Sequence, residues 1–349
     1  MILNHLFLQN FRNYTQSEFN FNPKTTLIVG LNTAGKSNII EAIHLLSTGK
    51  SFRAEKDLEM IRFEEQVSRI QGKSEDTTLE FLLTTGQVIG REAPVKRYLV
   101  NGVGKRRVDF EGILPSVLFS PVDLELIIGS PSHRRNFLDD VLEQTDREYR
   151  LATGEYTKAL RQRNALLEHV QDTGIRPDKQ FEYWDSLLIK HGQLISKRRE
   201  TFLQFVNDSV KDVFQFNVVY DKSEISKERL LQYRDAEIGS GVTLVGPHRD
   251  DFLLFMKNGS KFDKEVKVFG SRGQQRLVVL QLKLLQIAFI ELSTHQRPLL
   301  LLDDIFSELD QQHIELVSSM MGKQQTIITT THKELVAIDK NSSMSIIEL

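Results

Sequence analysis

The sequence predicts an α/β fold whose parallel-strand signals lie near both ends of the chain and whose middle is mainly helical. Three observations carry that prediction. Thr25–Val29 reads TTLIV, a short, β-rich apolar run of the kind a buried parallel strand shows; it leads through Gly30–Ser37 (GLNTAGKS) into Asn38–Ser47, where Ile39, Ile40, Ile43, Leu45 and Leu46 recur at helical spacing. Leu299–Leu302 is a second apolar run, ending in Asp303 and Asp304. Between the two, about a hundred residues from Pro131 onward repeat apolar positions every three or four residues.

Taken in order, the chain opens with Ile2 to Phe11 alternating apolar and polar, and Phe19 and Phe21 continue the alternation, which predicts an antiparallel hairpin. GLNTAGKS then fits G-x-x-x-x-G-K-[ST], a loop whose backbone N–H groups wrap nucleotide phosphates. Gly30, Asn32, Thr33, Ala34 and Gly35 supply the loop, and Asn38 lies in the helix N-terminus that points donors at an anion. Lys36 places a cation near the β and γ phosphates of ATP, and Ser37 offers a hydroxyl to Mg²⁺. Gly49 is placed to cap the helix, ahead of Lys50-Ser51-Phe52-Arg53; Arg53 is suited either to phosphate or to solvent.

From Arg69 to Val100 the pattern is short β-type runs, and Asn101-Gly102 signals a tight hairpin. Lys96 and Arg97 precede that turn, Lys105, Arg106 and Arg107 follow it, and Tyr98 lies between. Basic residues interleaved with an aromatic suit a nucleic-acid backbone, while charge on an exposed hairpin is also simply solvated. Ser130-Pro131 starts a helix. A first arm carries Phe137, Leu138, Val141, Leu142, Tyr149, Tyr156, Leu160, Leu166 and Leu167. After a turn at Asp172-Thr173-Gly174, a second carries Phe181, Trp184, Leu188, Ile195, Phe202, Val206, Val210 and Val213. Stripes so spaced read as helix-to-helix core, with Arg134, Arg135, Arg161, Arg163 and Lys197-Arg198-Arg199 assigned to the polar faces.

Phe216–Tyr220 reads as a strand and Lys227–Tyr233 as a short helix. Gly246-Pro247-His248-Arg249-Asp250-Asp251 reads as a loop, with a metal site as the weaker alternative. Ser271-Arg272-Gly273-Gln274-Gln275-Arg276 precedes a helical run from Leu277 to Leu292, so that a hydroxyl, a glycine backbone and a helix N-terminus point outward together. In the strand ending Asp303-Asp304, the first carboxylate suits Mg²⁺ and the second is placed to polarise an attacking water. Ser307-Glu308-Leu309-Asp310 follows, and Thr326–Thr331 makes another buried strand ending at His332.

Composition narrows the classes. With 349 residues, 40% hydrophobic and 26% charged, the chain is long enough for one large domain or two ordinary ones. A net charge of −2 means that any nucleic acid must be held by local basic patches. The absence of cysteine excludes disulfides, thiolate metal sites and cysteine nucleophiles. Met1–Asn10 lacks the pattern of a signal peptide, and no stretch has 18 uninterrupted apolar residues, so a soluble cytoplasmic protein without a membrane partner is expected.

The ordered set GLNTAGKS, SRGQQR, LLLLDD, SELD and strand-end His332 resembles the ATP-binding-cassette (ABC) superfamily. The interval from Ser37 to Ser271 is too long for compact transporter subunits and far too short for SMC proteins with their coiled coils. LFLQNFRNY at the start, KSFR at Lys50–Arg53, YLVNG at Tyr98–Gly102, SPVDLELI at Ser120–Ile127, HRRNFLD at His133–Asp139, LRQRNALL at Leu160–Leu167 and GPHRDDF at Gly246–Phe252 are similar to the RecF family of bacterial recombination mediators, end to end. The resemblance implies an ABC-type P-loop ATPase head, 1–122 with 240–349, and an inserted, mainly helical lobe, 123–239. It implies a homodimer that closes on ATP, Ser271, Gly273 and Gln274 of one subunit meeting the phosphates held by Lys36 and Ser37 of the other. Catalytic roles fall to Lys36, Asp304 and, as γ-phosphate sensor, His332; Ser37 and Asp303 hold Mg²⁺, with Asp123 a candidate for a further metal contact. It also implies weak, DNA-stimulated ATP hydrolysis, binding at gapped duplex and single-strand/double-strand junctions, and action with RecR and RecO to load RecA. An SMC-type structural clamp and a transporter-type subunit are the alternatives. The family usually has Asn-Gly where this chain has Asn32-Thr33, so the loop carries one fewer glycine.

Overall fold

The computed structural model describes residues 1–259, 261–305, 323–331 and 344–349, and the chain divides into two units, Met1–Asp123 with Ile290–Leu349, and Leu124–Phe289. In chain order, β1 (His5–Phe11), β2 (Tyr14–Asn20) and β3 (Thr25–Val29) lead into helix α1 (Lys36–Thr48). There follow β4 (Val67–Lys73), β5 (Thr78–Thr84), β6 (Gln87–Val88), β7 (Arg91–Glu92), β8 (Lys96–Val100), β9 (Val103–Lys105), the one-turn helix α2 (Arg107–Phe110) and β10 (Ser116–Phe119). The second unit contributes α3 (Glu125–Ile128), α4 (Pro131–Thr145), α5 (Arg147–Thr173), α6 (Asp178–Asp208), β11 (Phe216–Asp221), α7 (Lys227–Gln232), α8 (Arg234–Ser240), β12 (Asp251–Asn258), β13 (Lys261–Glu265) and α9 (Val266–Phe269). Helix α10 (Arg272–Thr294) begins in the second unit, its residues from Ile290 onward counting with the first, to which β14 (Leu299–Asp303), β15 (Thr326–Thr330) and β16 (Met344–Glu348) also belong.

Among the described residues the first unit holds a two-stranded ribbon, β6–β7, and two large sheets with a helix between. One is antiparallel, in the order β2-β1-β4-β5-β8-β9; the other is parallel, in the order β10-β14-β15-β3-β16. Strand β3 is buried at all five positions, as its unbroken apolar run predicts for a strand covered on both faces. Helix α1 packs on β4 and β5 of one sheet and on β10, β14 and β15 of the other. A helix between two sheets must be apolar nearly all round, and the side chains from Ile39 to Thr48 are all buried. Its one buried carboxylate, Glu41, is neutralised by Arg12, whose Nε and Nη2 donate to it at 2.9 and 2.6 Å.

The second unit corrects the sequence reading in three ways. Its boundary falls at Phe289/Ile290 and not at 239/240, because β12 pairs antiparallel with β11 and so draws residues beyond 240 to the helical segment. The first helical arm is two helices: α4 stops at Thr145 and α5 restarts with the Asp146 side chain capping the backbone N–H groups of Glu148 and Tyr149. Val210 lies beyond the end of α6 and is exposed. Helix α10 is long and apolar enough to cross a membrane by length and composition, yet more than half of that stretch is buried within the fold. Gln281 accepts from the Val213 N–H at 2.9 Å and Gln286 donates to Asp140 at 3.0 Å, contacts proper to a core helix.

Arginines assigned to polar faces turn inward. Arg163 is 2% exposed and pairs with Asp185 (2.6 Å) and Glu237 (2.7 Å). Arg199 donates to Tyr149 Oη (3.0 Å), Asp139 (2.9 Å), Asp250 (3.1 Å) and the Pro247 carbonyl (2.7 Å). Asp250, fully buried, also accepts from Tyr220 and from the Ser223 N–H. The loop reading of 246–251 holds in this form: His248 accepts from Tyr156 at Nδ1 (2.8 Å) and donates from Nε2 to the Thr243 carbonyl (3.0 Å), and burial pushes its pKa down to about 4. A buried charge that loses its partner is costly. Arg199→Ala should therefore lower the unfolding free energy by about 3–5 kcal/mol. Urea denaturation checks this, and a midpoint equal to wild type would show that Arg199 is not a keystone of the unit.

Candidate nucleotide site

The site is built where β3 ends and α1 begins. Gly35 adopts φ +105° and caps α1, a conformation open to glycine, and Lys36 and Ser37 follow in the first helical turn. Lys36 is buried, and its ammonium donates to the carbonyls of Gly30 (2.7 Å) and Leu31 (2.9 Å), so the cation is held inside the loop. Ser37 Oγ donates to Asp303 Oδ1 at 2.9 Å, and Thr329 Oγ1 donates to the same oxygen at 2.7 Å. Strand β14 thus delivers its terminal carboxylate to the hydroxyl of the loop, which is the pair needed to grip a divalent cation shared with phosphates. Among the described residues no group of three or more His, Asp or Glu side chains is arranged to hold a metal. Next to it, Asp304 has φ +52°, and its N–H bonds the carbonyl (3.2 Å) and hydroxyl (3.1 Å) of Thr329.

Asn13 and Arg62, which the sequence reading did not assign to the site, lie beside the predicted Asn38 and Arg53. Asn38 donates to Asn13 Oδ1 at 2.8 Å and accepts from Arg53 Nη1 at 3.1 Å, which brings Arg53 to the helix N-terminus. Arg62 donates to the Asn13 carbonyl at 2.6 Å, and Ser51 donates to Glu41. The NFRNY run that contains Arg12, Asn13 and Tyr14 is the signal that could have found them: a charged and polar cluster at a hairpin turn. Asp123 has another duty, since its carboxylate accepts from the Ser120 N–H at 2.7 Å within a local turn. Ser307–Asp310 and His332 lie outside the described residues.

In the second unit, Ser271 and Gln274 form a reciprocal cap on α10: the Ser271 N–H donates to Gln274 Oε1 at 2.9 Å and the Gln274 N–H to Ser271 Oγ at 3.3 Å. Ser271, Arg272 and Gly273 are exposed at that helix start.

The basic residues separate into two groups. In the hairpin β8–β9, Lys96 pairs with Asp57 (2.7 Å), Arg106 with Asp109 (2.9 Å) and Arg107 with Glu111. Arg97 and Lys105 are exposed and make no ion pair among the described residues. Lys105 stands opposite Tyr98, so Arg97, the next residue along, projects from the other face. The hairpin therefore does not offer its five cations as one surface. Arg134 is buried in a two-pronged pair with Asp251 (2.6 and 2.9 Å), and Arg135 is half-buried with Nη1 on the Asp250 carbonyl at 3.0 Å. Arg134 is thereby removed from the set of accessible cations expected to meet DNA, while Arg135 stays partly exposed.

A family model of RecF/RecN/SMC N-terminal domains matches residues 2–348. The DNA replication and repair protein RecF of Lachnospira eligens is 36% identical over 351 residues, covering 96% of this chain and 93% of the relative. That of Bacillus cereus strain G9842 is 34% identical over 354 residues, covering 95% and 92%. Among solved structures, the recombination mediator protein RecF-ATPrS of the RecFOR pathway matches with a TM-score of 0.85 at 32% identity, covering 97% of this chain and 94% of the other. An SMC head bound to the C-terminal winged-helix domain of ScpA shares the fold, with a TM-score of 0.51 at 17% identity, over 100% of this chain and 94% of the other.

The missing glycine of the loop has a structural counterpart. Thr33 sits at φ +75°, a left-handed conformation that costs a β-branched residue about 1–2 kcal/mol. Thr33→Gly should relieve that strain and, after the added chain entropy of glycine, stabilise the protein by up to about 1 kcal/mol. The check is the urea midpoint; a lower midpoint than wild type would contradict the strain.

Proposed function

The chain belongs to the RecF family within the RecF/RecN/SMC group of ATP-binding heads, and from that premise we propose that it is a DNA-binding recombination mediator switched by ATP. Two copies close on ATP, bind gapped duplex or a single-strand/double-strand junction, and with RecR and RecO promote RecA loading in repair and replication restart. The observation that carries the nucleotide half of this reading is the 2.9 Å bond from Ser37 to Asp303 beside the enclosed Lys36 ammonium. These residues fit Mg²⁺·ATP: the loop N–H groups and Lys36 bind phosphate, while Ser37 and Asp303 hold the cation. Mg²⁺, when bound, neutralises phosphate charge. Asp304 accepts the proton of the attacking water, and the shorter reach of Asp compared with Glu suits slow turnover. Ser271 and Gly273, exposed at the start of α10, are the groups offered across the dimer to the γ-phosphate held by the partner.

Asp304→Asn should bind ATP and hydrolyse it at least a hundredfold more slowly, since an amide takes no proton from water; the protein should accumulate as a dimer on size exclusion with ATP. Normal turnover, or a monomer with ATP, would exclude the role given to Asp304.

For DNA, the hairpin geometry leaves Arg97 and Lys105 as its available phosphate contacts. The slope of log K against log salt is about −0.9 per phosphate contact on duplex. Since Arg97 and Lys105 project from opposite faces, Arg97→Ala with Lys105→Ala should flatten it by about 1 unit, the share of whichever face meets the duplex. A salt titration of gapped-duplex binding with ATP measures this. Equal slopes for wild type and double mutant would leave the hairpin out of the DNA surface.

A further inference from the structure

Glu41 lies within α1 with no exposed surface, and its carboxylate gathers three segments of the first unit. Arg12, in the first hairpin, donates to both of its oxygens, and the Ser51 hydroxyl reaches Oε1 from the turn that follows the helix. Ser51 Oγ in turn accepts the backbone N–H groups of Arg53 (2.9 Å) and Ala54 (2.8 Å), which fixes the direction in which residue 53 leaves that turn. The Arg53 side chain comes back to the first turn of α1, Nη1 donating to Asn38 Oδ1 at 3.1 Å, and Asn38 donates to Asn13 at 2.8 Å, next in the chain to Arg12. These bonds close a ring, Glu41–Ser51–Arg53–Asn38–Asn13–Arg12, beside the helix start that the phosphate loop feeds. Arg53 is exposed, and among the described residues its guanidinium bonds only Asn38 and makes no ion pair, which leaves most of its donors open. Arg12 already neutralises Glu41, so the serine is not needed to balance charge; what it adds is a fixed turn under an open cation.

We propose that Glu41 and Ser51 are positioning residues for ATP binding: they hold the 51–54 turn so that the Arg53 guanidinium stands at the N-terminus of α1 and donates to a phosphate oxygen of the nucleotide seated there. This rests on the ATP-site reading above and adds to it two residues from outside the GLNTAGKS motif. Neither touches the nucleotide; both act through Arg53. The physical gain is preorganisation. A long exposed side chain loses freedom when it grips a ligand, and a turn that already sets its backbone and aims it at Asn38 lowers that cost. The cation then meets the anion at the same helix end whose N–H groups favour it.

Glu41→Ala would strand the Arg12 charge, so the test is made on the serine: Ser51→Ala cuts the link and leaves Glu41 paired with Arg12. Titration calorimetry with ATP is run on the full chain for wild type, Ser51→Ala, Arg53→Ala, the double variant and Lys36→Ala. Arg53→Ala should weaken ATP roughly tenfold, the loss of a hydrogen bond to a charged acceptor, and Ser51→Ala should lose a large part of the same factor. The double variant should bind like Arg53→Ala alone, because residues that act through one contact do not add. A merely structural serine would give losses that multiply. Wild-type affinity in Ser51→Ala, or independent losses in the double variant, overturns the proposal. If Lys36→Ala loses ATP while Arg53→Ala keeps it, the proposal falls and the site reading stands; if Lys36→Ala binds ATP like wild type, the site reading falls and the proposal with it.

Discussion

A hydroxyl and a carboxylate 266 positions apart in the chain meet at 2.9 Å, and the rest of the first unit is arranged so that they do. Ser37 is fixed by the start of α1, and Asp303 by the end of β14. These two are aligned because β15 lies between β14 and β3, each pair in parallel register, Asp303 against Thr329 and Thr329 against Ile28. Thr329 bonds the same carboxylate oxygen, so the central strand of the three also sets its direction. A one-residue slip in either pairing would turn Asp303 to the opposite face, which makes strand register a condition for the contact between Ser37 and Asp303.

The second unit shows a different use of charge. Its inward arginines each meet more than one acceptor, and the acceptors come from separate elements: Asp139 on α4, Tyr149 on α5, and Pro247 and Asp250 in the loop before β12. Such a cluster adds direction to a helical core whose apolar stripes alone tolerate sliding. It also uses up cations that would otherwise be available to nucleic acid, which concentrates the DNA question on fewer residues in a chain of net charge −2.

Much of this was legible in the sequence because the signals are local. The strand before the loop, the loop itself, the helix after it and the strand ending in Asp303 are each contiguous runs with one reading. The Asn101-Gly102 turn is equally local, and both residues take positive φ, at +50° and +76°. What escaped was set by partners distant in sequence. Helical spacing cannot show that Arg163 meets Asp185 or that Arg134 meets Asp251, so both read as solvent-facing. Residues 240–289 could not be assigned by pattern, since the pairing of β12 with β11 decides where they belong. The cluster of Arg12, Asn13 and Tyr14 looked like an ordinary hairpin turn, and only the fold shows what lies above it.

The parallel sheet has a consequence for how the protein comes to exist. Strand β3 is made early, yet its neighbours β15 and β16 lie some three hundred positions later, while the whole of Leu124–Phe289 is contiguous. On the ribosome the inserted unit can settle as it emerges, whereas the strand carrying the phosphate loop waits with both edges unsatisfied until the last strands appear. Closing so long a loop is slow, and open strand edges are where chains pair wrongly. Completion of the parallel sheet around β3 is therefore the stage of synthesis at which this chain has its longest-exposed strand edges.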